Sequence, residues 1–352
     1  MAIALAKPLE NRPDRLISPH CSVLLNPVIM RTPAVIFILF IVSWNLNSQQ
    51  VPMYSQYMMN RFLLNPAVAG YDGLTTLNLT AREQWRGLPH SPRTVALSAD
   101  TRLIKSRPAR PGLPDKRKIR NLLRSGNVGL GGFIYNDRSG VIDRTGLQLS
   151  YAYHIRMQEH QLSFGFSLTG FQMKMDERRI EFEEDYDPLM GKLNKGLYVP
   201  DINAGVHLWG PSYFLGLSSV QMLESVLKFG HDGLRDFKME RLFYLMGGYI
   251  FYLENGAGIE PVMLAKTNLN SSHQLDIGSK FYYSDQYWGG LSYRSAGAVV
   301  FMLGFRYESF HMGYAYDHSL SSMSHQNHGS HEIMINYRFG DSERRYRWLE
   351  RY

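Results

Sequence analysis

The sequence predicts an all-β chain that closes as a transmembrane antiparallel β-barrel of about 14 strands, and three observations carry that expectation. Side-chain character alternates with a period of two over many segments of about ten residues. The composition joins 22 Tyr, 18 Phe and 31 Gly to a single Cys, a set that suits aromatic strands punctuated by glycine better than long helices. Beyond residue 48 no run of about twenty apolar residues occurs, so only a barrel can cross a membrane there.

The alternation is plainest where every second residue is apolar. In Leu162 to Phe171, Leu162, Phe164, Phe166 and Leu168 oppose Ser163, Gly165, Ser167 and Thr169. Leu147, Leu149, Tyr151, Tyr153 and Ile155 oppose Gln148, Ser150, Ala152 and His154, and Phe310, Met312, Tyr314 and Tyr316 oppose His311, Gly313, Ala315 and Asp317. Extended along the chain, the pattern places strands over 74–84, 93–102, 127–136, 144–156, 160–174, 200–209, 212–219, 241–253, 257–266, 272–283, 286–294, 297–307, 309–318 and 331–339. Fourteen is even, as closure with periplasmic N- and C-termini requires, and short links then alternate with long outer ones. The exception is 103–126, which is long yet falls among the short, periplasmic links. A soluble β-sandwich also alternates, but it rarely keeps aromatics such as Phe301, Phe305, Tyr307, Tyr314 and Tyr316 on every outward turn.

The N-terminus reads as a secretory leader. Ala34 to Trp44 is an eleven-residue apolar run directly after Met30 and Arg31, too short to span a bilayer and suited to a signal-peptide core. Residues 1–29 are then a misassigned upstream extension, 30–48 the signal peptide, 49–73 an N-terminal periplasmic segment, 74–339 the barrel and 340–352 a periplasmic tail. The alternative is a genuine cytoplasmic extension followed by a buried helix. Cys21 lies upstream of all this, so no disulfide, thiolate metal site or Cys nucleophile is expected in the mature protein.

The formal charge of +7 is localised. Lys105 to Arg124 holds eight basic residues and one Asp, and the rest of the chain is balanced. No nucleic-acid partner is expected. Pro108, Pro111 and Pro114 keep the first half of this segment from being helical, whereas Asp115 to Arg124 suits a short helix. As the one long link on the short-link side it is the candidate partner-docking element, through Lys105, Lys116, Arg117, Lys118, Arg120 and Arg124. Contact with anionic lipid headgroups and folding into the lumen are the alternatives.

Residues 49–73, QQVPMYSQYMMNRFLLNPAVAGYDG, closely resemble the opening of the PorP/SprF family of type IX secretion outer-membrane proteins from Bacteroidetes. REQWRGLPHSPRTVALSAD, GLGGFIYNDRSG, PDINAGVHLWGPSYFLGLS and MGYAYDHSLSSMSHQNHGSHEIMINYRF follow in the family's order, over about Gln49 to Phe339. Residues 1–29 and the tail Asp341 to Tyr352 depart from it. The resemblance implies an outer-membrane secretion component that meets periplasmic secretion proteins and cargo bearing a C-terminal signal, often beside gliding-motility adhesins. Its motif positions here are Asn65, Pro66, Ala69, Gly70, Gln84, Trp85 and Gly87.

Each motif also has a structural reading. Asn65 to Gly70 has the composition of a tight non-helical turn, and Trp85 with its neighbours suits a packed outer loop. His318, His325, His328 and His331 crowd one loop but match no zinc spacing, and the acids from Asp176 to Asp187 lack a calcium-loop pattern. G-x-S-x-G, P-loop, H-E-x-x-H and dinucleotide fingerprints are absent from the sequence. No enzyme, cofactor or metal is expected. Two functions remain: an interaction protein in a largely plugged or narrow barrel, docking secretion partners and cargo, or an outer-membrane pore or transporter for ions or small ligands.

Overall fold

The computed structural model describes residues 53–103, 127–175, 197–224, 226–229, 235–253, 256–270, 272–283, 286–320 and 327–340. Its strands are β1 (Thr75–Glu83), β2 (Arg93–Leu103), β3 (Val128–Ser139), β4 (Ile142–Met157), β5 (His160–Met175), β6 (Leu197–Trp209), β7 (Tyr213–Val220), β8 (Val226–Phe229), β9 (Arg235–Lys238), β10 (Leu242–Tyr249), β11 (Phe251–Tyr252), β12 (Gly258–Thr267), β13 (His273–Tyr283), β14 (Tyr287–Arg294), β15 (Ala298–Tyr307), β16 (Phe310–Ser319) and β17 (Ser330–Phe339). Neighbours pair antiparallel from β1 to β7, then through β10 and β12 to β17. β17 pairs back onto β1, Thr75 opposite Phe339 and Glu83 opposite His331, closing a ring of 14 strands.

All fourteen expected strands are present, with ends within three residues of those expected. The eighth is interrupted at Ile250, after which β11 continues the same register on β12. The expected link 220–240 additionally holds the β8–β9 hairpin. β3 and β4 run past the alternating stretch to a two-residue turn at Gly140, where Asn136 and Arg138 bond Asp143 at 2.7 and 3.1 Å. Polar cross-strand pairs carry the ladder there, so no apolar alternation marks it.

Links 158–159, 210–212, 284–286 and 308–309 share one end of the barrel with the start of β1 and the finish of β17; 176–196, 221–241 and 320–329 lie at the other. We call these the short-turn and long-loop ends. β2 ends and β3 begins at the short-turn end. Residues 1–29, the signal peptide 30–48, the tail 341–352, His325, the acids Asp176 to Asp187 and all six basic docking candidates lie outside the described residues.

The wall is inverted relative to a soluble protein. Leu149, Phe164, Phe166 and Phe301 are 60%, 44%, 44% and 51% exposed, whereas Gln148, Ser163 and Ser167 are buried on the inner face. Polar groups of that face bond one another: Ser150 and Ser167 at 2.7 Å, and Asn203 donates to Gln148 at 2.8 Å. Half of it is apolar, with Phe214, Leu242, Tyr244, Met246, Val262, Leu264, Val300 and Met302 forming a core with Tyr57 and Met58. Those last two residues expose a correction. The sequence places residues 49–73 as a periplasmic segment ahead of the barrel, but the described part, from Met53, fills the lumen instead, because its aromatic and amide side chains match the two halves of the inner face.

Arg in place of Phe166 at the lipid face should cost about 2–4 kcal/mol in folding into lipid vesicles, while Phe166→Leu should cost far less. Denaturant titration followed by heat-modifiable migration measures both, and equal effects would reverse the assigned faces.

Candidate functional site

The candidate site is the lumen segment and the wall that holds it. The segment has no long regular element: two short 3-10 turns, η1 (Arg61–Leu63) and η2 (Pro66–Val68), interrupt an irregular path. Asn65 caps η2 by accepting the Ala67 N–H at 2.9 Å, with Pro66 at the first helical position where no amide is missed. Its Nδ2 donates to the carbonyls of Val206 and Leu217 at 3.0 and 3.3 Å, so one side chain shapes the turn and fastens it to β6 and β7. Gly70 has φ +64°, and a Cβ there would strike the Thr101 backbone. Its amide donates to Asp100 at 2.8 Å, and the Ala69 carbonyl meets His154 Nε2 at 3.0 Å. Opposite the turn, Gly165 lets β5 approach the backbone of Pro66 and Ala67, which any side chain would block.

Near the long-loop end the segment is locked by charge. The two Glu332 carboxylate oxygens accept the N–H groups of Ser55 and Gln56 at 2.7 and 2.8 Å. Ser55 Oγ donates to Asp317 at 2.7 Å. Arg82 bonds Asp317 and Glu332 at 2.7 and 3.1 Å and also donates to Ser55 Oγ, while Arg294 bonds Asp276 and Asp317 at 3.0 and 3.1 Å. All five charged side chains are at most 5% exposed. Near the short-turn end a second group forms, Arg61 and Lys280 meeting Glu260 at 2.7 and 2.8 Å, with Arg61 stacked 3.5 Å over the Phe214 ring. The segment thus runs from Ser55 near the long-loop end to Arg61 near the short-turn end. It then crosses β6, β5 and β3 to reach β1.

The expected motif positions fall in two places. Asn65, Pro66, Ala69 and Gly70 lie in the lumen segment, where all four are buried or nearly so. Gln84, Trp85 and Gly87 lie in the long-loop-end link between β1 and β2. There Trp85, with φ 50°, donates its N–H to Ser330 Oγ, and Arg86 exchanges backbone bonds with Gly329 and His328. That left-handed φ is strained for a large side chain, and the bonds to 328–330 hold it. Of the four clustered His, His331 accepts or donates at Tyr314 Oη at 2.7 Å, and His328 sits over Gly87. The His, Cys, Asp and Glu of the described residues form no metal-holding group. Arg82, Asp276, Arg294, Glu332, Glu260 and Lys280 were not expected as site residues. Their signal was present: each is charged on the inner phase of an alternating strand.

A family model described as type IX secretion system membrane protein PorP/SprF matches residues 46–337, and so takes in the lumen segment and the ring up to Tyr337 in β17. The chain belongs to the PorP/SprF family. It is accordingly an outer-membrane β-barrel component of type IX secretion. No curated protein matches its sequence. Solved structures similar to this PorP/SprF barrel include the Acinetobacter baumannii outer membrane protein Omp33, at 7% identity and TM-score 0.41 over 76% of this chain and all of that one. The Ralstonia pickettii toluene transporter TbuX gives 11% and 0.40 over 79% and 92%, and CdiB from Acinetobacter baumannii 10% and 0.37 over 75% and 60%.

Removing Glu332 takes one of the two carboxylates from Arg82, which keeps Asp317, and strips the Ser55 and Gln56 amides of their acceptor; breaking a buried pair costs about 3–5 kcal/mol. Glu332→Ala should lose stability on that scale and expose residues 53–74 to protease in folded barrels, whereas Arg93→Ala, at an exposed pair with Glu83, should change neither. Protection unchanged in Glu332→Ala would show that the lock does not hold the segment.

Proposed function

We propose that this PorP/SprF protein is a plugged, non-enzymatic docking component of type IX secretion, with its short-turn end toward the periplasm. The observation that carries the reading is the lumen segment, bonded to the wall near both ends of the barrel. A lumen filled by hydrogen-bonded side chains and a hydrophobic core favours an interaction protein over a pore or transporter. The basic link Lys105 to Arg124 leaves the barrel at the end where periplasmic secretion proteins would meet it, and cargo with a C-terminal signal, gliding adhesins among it, is the class served.

Purified protein in planar bilayers should show no large steady conductance; an open channel of porin size would favour the pore. Charge reversal at Lys116, Arg117, Lys118 and Arg120 should remove co-purifying periplasmic partners and export of a defined cargo set while the barrel still inserts. Unchanged export and partner recovery would end the docking role of that link.

The lumen segment also bears on the leader. Ser55, seven residues after the expected cleavage near Ser48, is fixed near the long-loop end. N-terminal sequencing of outer-membrane material should find nothing before about Asn45, and peptides from 1–29 in that material would contradict cleavage.

A further inference from the structure

Below the lumen segment, at the short-turn end, lies a cavity of about 220 Å³. One water needs about 10–15 Å³ on such a scale, so the space admits a ligand of one or two rings. Ser212, Tyr252, Gly256 and Ala257, from the short-turn links, edge its mouth. Its walls combine aromatic faces, Trp209, Phe214, Tyr282 and Trp288 among them, with four cations: Arg61, Lys280, Arg306 and Arg338.

The charges divide unequally. Arg61 and Lys280 are matched by Glu260. Asp72 and Asp100 also line the cavity, where they accept the N–H groups of Leu74 and Gly70 at 3.0 and 2.8 Å. Among the described residues neither Arg306 on β15 nor Arg338 on β17 has a carboxylate within ion-pair distance, although Arg338 lies in the field of Asp72 and Asp100. Four buried polar atoms of the wall lack a hydrogen-bond partner among the described residues: Arg61 Nε, Arg338 Nε, Trp288 Nε1 and Asn336 Oδ1. The Trp288 and Asn336 residues are 7% and 2% exposed. Buried donors and acceptors in that state mark a place where a ligand's own groups complete the bonding.

We infer that this vestibule binds a carboxylate carried on an aromatic or similarly flat apolar body, with Arg306 and Arg338 taking the carboxylate and the aromatic wall taking the body. Among the described residues Arg61, Lys280, Arg306 and Arg338 face Glu260, Asp72 and Asp100, so the wall carries a net positive charge that an anionic group offsets. The planar guanidinium fork suits a carboxylate edge. A bilayer lipid is a poor occupant because these side chains face the lumen, behind the closed ring of strands, and entry is through the short-turn mouth. The chemistry has two sources, a free aryl carboxylate or an acidic side chain beside an aromatic one on a peptide segment. The site does not depend on which secretion partners that end meets.

Isothermal titration and saturation-transfer NMR on the purified full chain in detergent test it, with phenylacetate against phenylacetamide and N-acetyl-Phe-Glu-amide against N-acetyl-Phe-Gln-amide. The acid should bind on the order of tenfold more tightly than its amide, as expected for one charge-assisted bidentate contact. Arg306→Gln and Arg338→Gln should each remove most of that preference, with heat-modifiable migration unchanged. Where a Gln variant fails to fold, Arg306→Lys or Arg338→Lys keeps the charge without the fork and should still weaken binding. Binding of phenylacetate alone assigns the site to a small solute, and equal or tighter binding of the acidic dipeptide assigns it to a peptide segment. Equal affinity for acid and amide, or wild-type binding by the double Arg variant, overturns the proposal.

Discussion

The Glu332 carboxylate ties the segment that precedes the barrel to the strand that ends it. Its oxygens take the amides of Ser55 and Gln56, 277 and 276 residues away in sequence. Arg82, directly opposite Glu332 in the pairing of β1 with β17, bonds the same carboxylate. The seam that closes the ring and the anchor of the lumen segment are therefore one set of bonds. Loss of that carboxylate would leave Arg82 with Asp317 alone and two buried amides of the segment without their acceptor, which is costly.

A closed strand ring in lipid turns its apolar side chains outward and must satisfy every polar group on the inner face. A wide porin does so with water; this barrel meets many of them with its own chain. On the β1–β6 and β16–β17 side the segment supplies amide and hydroxyl partners, as at Asn60 with Ser98 and Gln161 with the Tyr71 carbonyl. On the β7–β15 side it supplies Tyr57 and Met58 to an apolar core. Neither side is uniform: Phe62 and Val68 join an apolar cluster with Ala152 and Phe133, and Arg61 meets Glu260 on β12. Buried ions contribute little net stability over apolar replacements. Their effect here is geometric: the forks of Arg82 and Arg294 converge on Asp317 with Ser55 Oγ between them.

The ring was legible in the sequence because lipid on one side and a filled lumen on the other impose a period of two, and Leu147 to Ile155 or Leu162 to Thr169 show it without interruption. Tyr54 to Gly70 was not legible as a lumen filler. It contacts strands on all sides, so its buried residues follow no period, and its turn signals at Asn65-Pro66 and Gly70 read equally well as an entry loop. The charged residues of the lock were visible singly, as polar positions of alternating strands. Their convergence was not, since Arg82, Asp276, Arg294, Asp317 and Glu332 meet only after β17 returns to β1. The family resemblance reached Asn65 to Gly70 as a motif, and the physical reason for those residue types lies in the lumen. Asn65 bridges two strands, and Gly70 turns where a Cβ would strike Thr101.

The tether between segment and ring bears on how the molecule assembles. Residues 55 and 56 bond side chains on β16 and β17, the last strands made, as well as Arg82 on β1. Before β17 pairs with β1, the groups that hold the segment are not yet brought together, and its polar atoms can stay hydrated. After closure the segment is joined to β1 through Leu74, so its docking is intramolecular and proceeds at high effective concentration. The last strand then supplies both edges of the solution: its backbone completes the ladder, and its Glu332 side chain captures the segment. Closure of the ring and anchoring of the segment's first residues thus share Glu332 of β17, and a ring that closed out of register would shift Glu332 away from Arg82 and leave the segment held only by contacts such as Arg61 with Glu260 and Asn65 with β6 and β7.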